Sequence, residues 1–288
     1  MKRETRNKTQ EWLVSFPSLF WLALFFVMPT AFVLAVALRP SNPYGGIGAG
    51  WTLENLRRLA DPNYLIIAWR TIWISVLITF ICILLAIPIG YYLARVTPKW
   101  RNFFLMLVII PFWTNFLIRI FAWKVLLHPE GLIKRLLVFL GMAAPQTSLL
   151  YNPAAVVLVS VYTFLPFTIL PIYAAADKFD FTLVEAARDL GARSFQAFYK
   201  IFLPGIRRGL FTAVLFVFIP SLGSYIIPDI VGGPTSEMIG NKIAQRVFVD
   251  RNLPQASALS VILTLSVLAP LIAVLFLQGK KEKPGAIF

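Results

Sequence analysis

Residues 177–207 read DKFDFTLVEAARDLGARSFQAFYKIFLPGIR and lie between two long apolar runs. Within this stretch, Thr182 is followed three residues later by Glu185, a spacing that is typical of a capping box at the start of a helix. Gly191 then favours the end of that helix, because glycine adopts the left-handed backbone conformation of a C-terminal cap at little cost.

A second short helix is predicted after the glycine. Ser194 can cap its first turn, and the helix extends to Ile201. Pro204 either ends this helix or opens the membrane span that follows. A connection with this much regular structure is suited to docking against another protein.

The whole chain has the composition of a membrane protein. Of its 288 residues, 58% are hydrophobic and 14% are charged, and the mean hydropathy is +0.75. A soluble domain carries about 25% charged residues, so this chain has too little polar surface for a water-soluble globule. The high apolar content also excludes intrinsic disorder. Long unbroken apolar runs, without alternation, favour helices over a transmembrane β-barrel.

Six apolar runs reach the length of about 20 residues that a helix needs to cross the hydrocarbon core. They cover residues 13–38, 66–93, 103–127, 154–176, 210–231 and 256–277. The first run is too long for a secretory signal and lacks a small-residue cleavage site, so we interpret it as a retained helix. We therefore predict an all-α polytopic membrane protein with a transmembrane domain at 13–277 and terminal segments at 1–12 and 278–288.

The distribution of Lys and Arg predicts the orientation of these spans. The chain has 27 Lys and Arg residues against 13 Asp and Glu, a net charge of +14. Sixteen basic residues lie in the terminal segments and in the connections before the third and fifth runs, and eight lie on the opposite side. This bias places both termini and residues 177–207 in the cytoplasm. It accounts for the basic charge without nucleic acid, so no nucleic-acid partner is predicted.

Every predicted span contains at least one proline, and in the fifth a helix break is expected at Pro228. Broken helices are tolerated in a membrane where they line a cavity, which suits a transport path. The equally weighted alternative is that proline is simply common in membrane helices.

The 177–207 stretch resembles the EAA signature of permease subunits in bacterial ABC importers. The matching pattern is EAA-x3-G-x9-I-x-L-P, formed by Glu185, Ala186, Ala187, Gly191, Ile201, Leu203 and Pro204. The resemblance implies a type I ABC importer permease fold of six helices. It also implies that the short helices around the glycine sit in a groove of an ATPase subunit and transmit its closure.

Four further stretches resemble spermidine/putrescine permeases of the PotB type. They are PFWTNFLIRI at 111–120, WTLENL at 51–56, LVEAARDLGA at 183–192, and Asp229 followed by the glycines at 232 and 233. The resemblance implies a polyamine importer of the bacterial inner membrane. Its implied partners are an ATP-binding cassette ATPase dimer, a second homologous (PotC-like) permease and a periplasmic or lipid-anchored substrate-binding protein. Related families that transport thiamine or ferric iron share the scaffold and remain alternatives.

No catalytic or metal site is predicted in the chain. Cys82 and His128 are the only residues of their types, so no Cys/His cluster can hold a metal. The sequence contains no G-x-x-x-x-G-K-[ST] motif, so it cannot bind ATP through a P-loop. We predict a permease without its own ATPase site, with ATP and Mg²⁺ bound by the partner ATPase.

Asp229 is the only acidic residue in the six predicted spans, which makes it a candidate for contact with a cationic substrate. Tyr225 lies one helical turn away and could add a cation–π contact. The alternatives are that Asp229 forms a structural salt bridge with Arg119 or that it is an exposed acid at the level of the lipid headgroups.

Three residues of the third span are further candidates for the substrate path. They are Phe112, Trp113 and Asn115. For Trp113, helix packing or anchoring at the membrane interface is an alternative role.

A secondary transporter that works alone is the alternative from another class. It would favour internal repeats and several intramembrane acids for ion coupling. The sequence has no clear repeat and one candidate acid.

Overall fold

The structure is a computed structural model that describes residues 8–42 and 44–279, with side chains for residues 15–42 and 44–268. Its α-helices are α1 Lys8–Leu22, α2 Met28–Ala37, α3 Glu54–Arg58, α4 Pro62–Arg95, α5 Pro98–Ile109, α6 Phe116–Leu127, α7 Leu132–Phe139, α8 Pro153–Asp177, α9 Thr182–Asp189, α10 Ser194–Ala197, α11 Leu203–Gly205, α12 Arg207–Leu222, α13 Ile226–Val231, α14 Ile239–Phe248 and α15 Leu253–Gly279. Two π-helical turns, Ala23–Val27 and Phe198–Phe202, and two 3-10 turns, Ile110–Trp113 and Pro234–Ser236, complete the helices. Over the described residues, extended pairing is limited to one bridge between Ser41 and Ile47. The all-α prediction is therefore confirmed.

The chain forms two compact units. One comprises the residues up to Leu65 and from Lys242 onward, and the other comprises Ile66–Asn241.

The first unit is held by the packing of α15 on α2. The buried side chains of Ala37, Leu59 and Ala258 meet in its core. Asn55 is also buried, and its Nδ2 donates hydrogen bonds to the carbonyls of Ala37 at 3.1 Å and Arg39 at 2.7 Å. The asparagine of the WTLENL stretch thus satisfies the carbonyl groups left open at the end of α2.

The second unit is built on the packing of α12 along α8. Gly209 permits the close approach, because a Cβ atom there would lie 2.3 Å from the Cβ of Ala175. Apolar side chains of α4, α8 and the 177–207 loop form one buried cluster, and those of α4, α6, α8 and α13 form another.

Three described helices are long and apolar enough to cross a membrane. They are Ser15–Ala37, Pro62–Arg95 and Pro153–Asp177. The number rises to five if each of two bent helix pairs counts as one span. The prediction of six spans with both termini in the cytoplasm remains a prediction.

The third predicted span is broken. Helix Pro98–Trp113 and helix Phe116–Phe139 meet at an angle of 92°. Asn115 makes the break, because its Oδ1 accepts a hydrogen bond of 2.8 Å from the N–H of Leu117 and caps α6.

The fifth predicted span is broken as well, but at a different place from the one expected. Helix α12 ends at Leu222, and α13 starts at Ile226. The prediction of a break at Pro228 is wrong, since Pro228 lies in the first turn of α13. Proline is tolerated there because an N–H in the first turn has no partner within the helix.

A buried lysine fixes the connection between α7 and α8. Lys134 is almost completely buried, and its Nζ donates hydrogen bonds to the carbonyls of Ala144 at 2.6 Å and Thr147 at 2.5 Å. Hydrogen bonds of a charged group contribute about 1.5–3 kcal/mol each. The cation thus acts as a cross-link within the loop, although the sequence alone presents it as a loop charge.

We expect Lys134→Met to destabilise the protein by about 2–4 kcal/mol, because it leaves two carbonyl groups without their donor. The rate and midpoint of unfolding can be followed through Cys82, the only cysteine, because its complete burial should protect it from a thiol dye until the protein unfolds. Arg135→Met, on the exposed neighbour in the same helix, is the control. Equal unfolding midpoints for both variants would contradict the cross-link.

Candidate functional site

The glycine turn of the 177–207 loop has the predicted geometry. Helix α9 ends at Asp189, and Gly191 has a φ of +89°. The N–H of Gly191 donates to the carbonyl of Arg188 at 2.9 Å, and the N–H of Ala192 donates to that of Ala187 at 3.0 Å. This pair of bonds is a Schellman motif, which requires a left-handed residue at the position of the glycine.

The helix starts differ from the predicted caps. Thr182 does not cap α9. Instead, Oδ1 of Asp180 accepts bonds from Oγ1 of Thr182 at 2.7 Å and from its N–H at 3.0 Å, and these bonds lower the pKa of Asp180. The cap of α10 is also one residue earlier than Ser194, because Oε1 of Gln196 accepts a 3.0 Å bond from the N–H of Arg193.

The second helix of the loop passes through a π turn before the proline. The N–H of Leu203 bonds to the carbonyl of Phe198, five residues back. Pro204 has no N–H to offer to the preceding turn, so the wider turn is compatible with its position. Helix Ser194–Gly205 then meets α12 at an angle of 71°.

Aromatic side chains attach this loop to the long helix α4. Tyr91 of α4 contacts Phe181, Phe198 and Phe202 edge-on, with ring centroids at 5.7, 5.2 and 4.8 Å. Phe179, just after α8, lies 5.4 Å from Phe202, which is fully buried. The loop is therefore held rigidly against α4 and the end of α8.

The motif residues divide by exposure. Glu185, Ala186, Gly191 and Pro204 are exposed, whereas Ala187, Ile201 and Leu203 are half-buried. The structure thus presents the start of the motif and its glycine turn at the surface, while the apolar end packs inward.

Three exposed apolar residues of the loop were not predicted. Leu190, Phe195 and Tyr199 are 90%, 75% and 61% exposed, and the rings of Phe195 and Tyr199 are stacked at 6.3 Å. They flank the glycine turn and form a surface that water covers poorly. Periodicity gave no signal for Phe195 and Tyr199, because with Phe198 and Phe202 they follow the spacing of a single helical face.

A polar pocket of about 300 Å³ contains Asp229. Glu237, Asn241 and Tyr151 also line it. The sequence reasoning missed Glu237, because it lies outside every apolar run and reaches Asp229 only through the turn after α13. Two carboxylates in one pocket favour a cationic ligand.

Gly232 and Gly233 line this pocket. A Cβ at Gly233 would lie 2.3 Å from the carbonyl oxygen of Tyr151, and one at Gly232 would lie 2.4 Å from that of Pro228. The N–H of Tyr151 bonds to the carbonyl of Val231 at 2.9 Å. Backbone approaches this close exclude any side chain, so the glycines set the shape of the pocket.

The other predicted path residues lie outside the lining of this pocket. Phe112 packs edge-on against Phe167 at 4.8 Å, and Asn115 caps α6. Trp113 is 79% exposed. Tyr225 precedes α13, and its carbonyl accepts a 3.0 Å bond from Nδ2 of Asn241, a lining residue. Tyr225 is therefore near Asp229, whereas Phe112, Trp113 and Asn115 do not line the pocket.

Arg119 does not pair with Asp229 in the described part of the chain. Its guanidinium lies over the rings of Phe112 at 5.8 Å and Phe116 at 5.9 Å, and its Nε is buried without a hydrogen-bond partner. The salt-bridge alternative for Asp229 therefore has no support in this structure.

Comparison with known proteins identifies the family. Residues 86–282 match the family described as binding-protein-dependent transport system inner membrane component. The chain is 36% identical to the spermidine/putrescine transport system permease protein PotB of Haemophilus influenzae, over 91% of each chain. It is 34% identical to PotB of Escherichia coli, over 85% of this chain and 89% of that one. It is also 34% identical to the inner membrane ABC transporter permease protein YdcU of Escherichia coli, over 73% and 71%.

The fold agrees with a solved transporter. A chain in the crystal structure of a bacterial alginate ABC transporter, in complex with an alginate pentasaccharide-bound periplasmic protein, aligns over 99% of this chain and all of that one. The TM-score is 0.69 at 16% sequence identity. Sequence, fold and the loop with its glycine turn agree, and the chain belongs to the inner-membrane permease components of binding-protein-dependent ABC transport systems.

Proposed function

We propose that this chain is one permease subunit of an ATP-driven importer for polyamines such as spermidine and putrescine. The observation that carries the substrate class is the pocket that Asp229 and Glu237 line. A polyamine is a flexible chain with several positive charges, and carboxylates in a confined site attract such charges strongly. The relatives named as spermidine/putrescine permeases, which cover most of the chain, support the same class.

ATP hydrolysis belongs to a partner in this proposal. A dimer of ATP-binding cassette subunits binds ATP and Mg²⁺ on the cytoplasmic side, and the 177–207 loop docks on it. The exposed Leu190, Phe195 and Tyr199 supply apolar contact area, and the buried aromatic attachment to Tyr91 lets the loop move as one piece with α4.

Two further partners complete the importer. A second homologous (PotC-like) permease forms the other half of the path, and a periplasmic or lipid-anchored binding protein delivers the polyamine. The carboxylate pocket is on the outer side in the orientation predicted from the basic residues, where a cation released by the binding protein would meet it.

The proposal is tested by reconstituting the complex in proteoliposomes with its binding protein and a panel of solutes. We expect spermidine or putrescine to stimulate ATP hydrolysis and to accumulate in the lumen, whereas thiamine and ferric iron should do neither. Stimulation by thiamine or ferric iron alone would assign another substrate. Uptake by the chain without any ATPase would favour a secondary transporter.

A further inference from the structure

A large apolar cavity lies in the second unit, away from the carboxylate pocket. It has a volume of about 570 Å³ and is lined by side chains of α4, α5 and α8. Its lining is apolar apart from the hydroxyl groups of Tyr92 and Tyr162. A cavity of this size is within the range of ligand sites, and its walls are suited mainly to a hydrocarbon ligand.

Prolines explain why the helices leave this space. Pro88 of α4, Pro111 of the turn after α5 and Pro166 of α8 all line it. Each places a short rigid ring where a longer side chain would otherwise fill the gap, and Pro88 and Pro166, which lie inside their helices, each remove one backbone hydrogen bond. Three prolines from different segments thus line one cavity.

The cavity opens to the outer surface of the helices. Its lining residues Tyr92 and Leu107 are each 56% exposed. The family is an inner-membrane one, so this surface faces lipid or another membrane helix. An aqueous solute would find only the hydroxyl groups of Tyr92 and Tyr162 as polar partners along the walls.

Three basic residues lie about one helical turn beyond lining residues at one end of the cavity. Arg95 follows Tyr92 by about one helical turn on α4, and Lys99 and Arg101 precede Phe104 by about one turn on α5. Trp100 lies between them and stacks on Phe104 at 6.1 Å, as interfacial tryptophans do.

These basic residues differ in how far they are already paired. Arg101 pairs with Asp177 at 3.2 Å, and Arg95 bonds to the hydroxyl of Tyr91 at 2.7 Å. Lys99 is exposed and has no ion pair within the described residues. A phosphate group at this end of the cavity could therefore pair with Lys99 without competition from a carboxylate of the described residues.

We propose that this cavity holds an acyl chain of an anionic phospholipid whose headgroup is bound by Lys99 and its basic neighbours. The apolar walls match the chain, and the positive rim matches the phosphate. Under the orientation proposed above, the lipid comes from the cytoplasmic leaflet.

Such a lipid would contact the helix ends that hold the 177–207 loop. The guanidinium of Arg95 lies over the ring of Tyr91 at 5.4 Å and over that of Phe181, next to α9, at 5.6 Å. A lipid headgroup that pairs with Arg95 would therefore change the contacts of this guanidinium with the aromatic cluster that holds the 177–207 loop. This makes the site one where lipid composition can set transport activity.

The test is native mass spectrometry of the purified complex from nanodiscs of mixed phosphatidylglycerol and phosphatidylethanolamine. We expect one phosphatidylglycerol to stay on the wild-type permease chain as detergent removes bulk lipid. Val108→Trp fills the cavity and should remove it, whereas Met106→Trp should retain it, since Met106 is exposed on the same helix but lies outside the lining. Lys99→Gln leaves the cavity intact and should weaken retention about tenfold.

Two results would overturn the proposal. One is equal retention of phosphatidylglycerol in all four proteins. The other is a Val108→Trp complex that loses the second permease subunit while its lipid content is unchanged, which would assign the cavity to protein contact. If Val108→Trp fails to fold, wild-type retention in Lys99→Gln alone decides against the site. The readout is the mass of the permease chain, so it stands whether or not polyamine transport is found.

Discussion

Gly191→Pro is expected to abolish ATP-driven transport by the assembled importer while the chain still inserts into the membrane. The φ of +89° at this position is incompatible with the fixed φ of about −65° of proline. Proline also removes the N–H that bonds to the carbonyl of Arg188. The turn between α9 and α10 must then rearrange, which displaces Leu190 and Phe195 from one another.

Gly191→Asn is the matched control for this variant. A Cβ at position 191 has nothing within 4 Å, so space does not limit the substitution, and asparagine tolerates the left-handed conformation better than other residues. We expect Asn to keep most of the transport rate and Pro to keep none. Co-purification of the ATPase and substrate-stimulated hydrolysis are measured in both. Normal values in Gly191→Pro would contradict a docking role for the loop.

Asp229→Asn should lower polyamine uptake at least about tenfold while the complex still assembles. The change keeps the size of the side chain, removes its charge and replaces one acceptor oxygen by an NH2 donor. A bond between charged partners contributes about 1.5–3 kcal/mol, and about 1.4 kcal/mol corresponds to a factor of ten in binding. Glu237→Gln, on the other carboxylate of the pocket, should act in the same direction.

Two variants separate this effect from others. Glu130→Gln removes an exposed carboxylate outside the pocket and should leave uptake unchanged. Arg119→Gln combined with Asp229→Asn should restore nothing, because the two side chains do not pair in the structure. Uptake is measured beside the yield of assembled complex. Wild-type uptake in Asp229→Asn would remove this residue from the path, and rescue by the double variant would restore the salt-bridge interpretation.

The sequence predicted the parts of this molecule that depend on local chemistry. The long helices follow from apolar runs, and the turn at Gly191 follows from the one residue type that favours its backbone conformation. The helix breaks were harder to place. Asn115 interrupts a continuous apolar run by capping the helix that follows it, and Pro228 sits where a first turn accommodates it, so proline alone did not mark the breaks.

The carboxylate pocket depends on contacts between distant segments. Glu237 lines the same pocket as Asp229 where Gly233 lets the chain pass against the carbonyl of Tyr151, more than 80 residues earlier. The spacing of residues along the sequence does not indicate that Tyr151 and Gly233 are in contact. The exposed Leu190 and Phe195 were not predicted for a related reason. An apolar side chain is expected to be buried, and only the fold shows that these two are exposed.

Helix Ser194–Gly205 and α12 meet at 71°, so the chain bends sharply between them. With two helices so nearly at right angles, most of a displacement along the first helix is directed across the axis of the second. A push at the glycine turn along the first helix would therefore move α12 mainly sideways and to a smaller extent along its own axis. Because Gly209 holds α12 in close contact with Ala175, that sideways swing would carry α8 along with it.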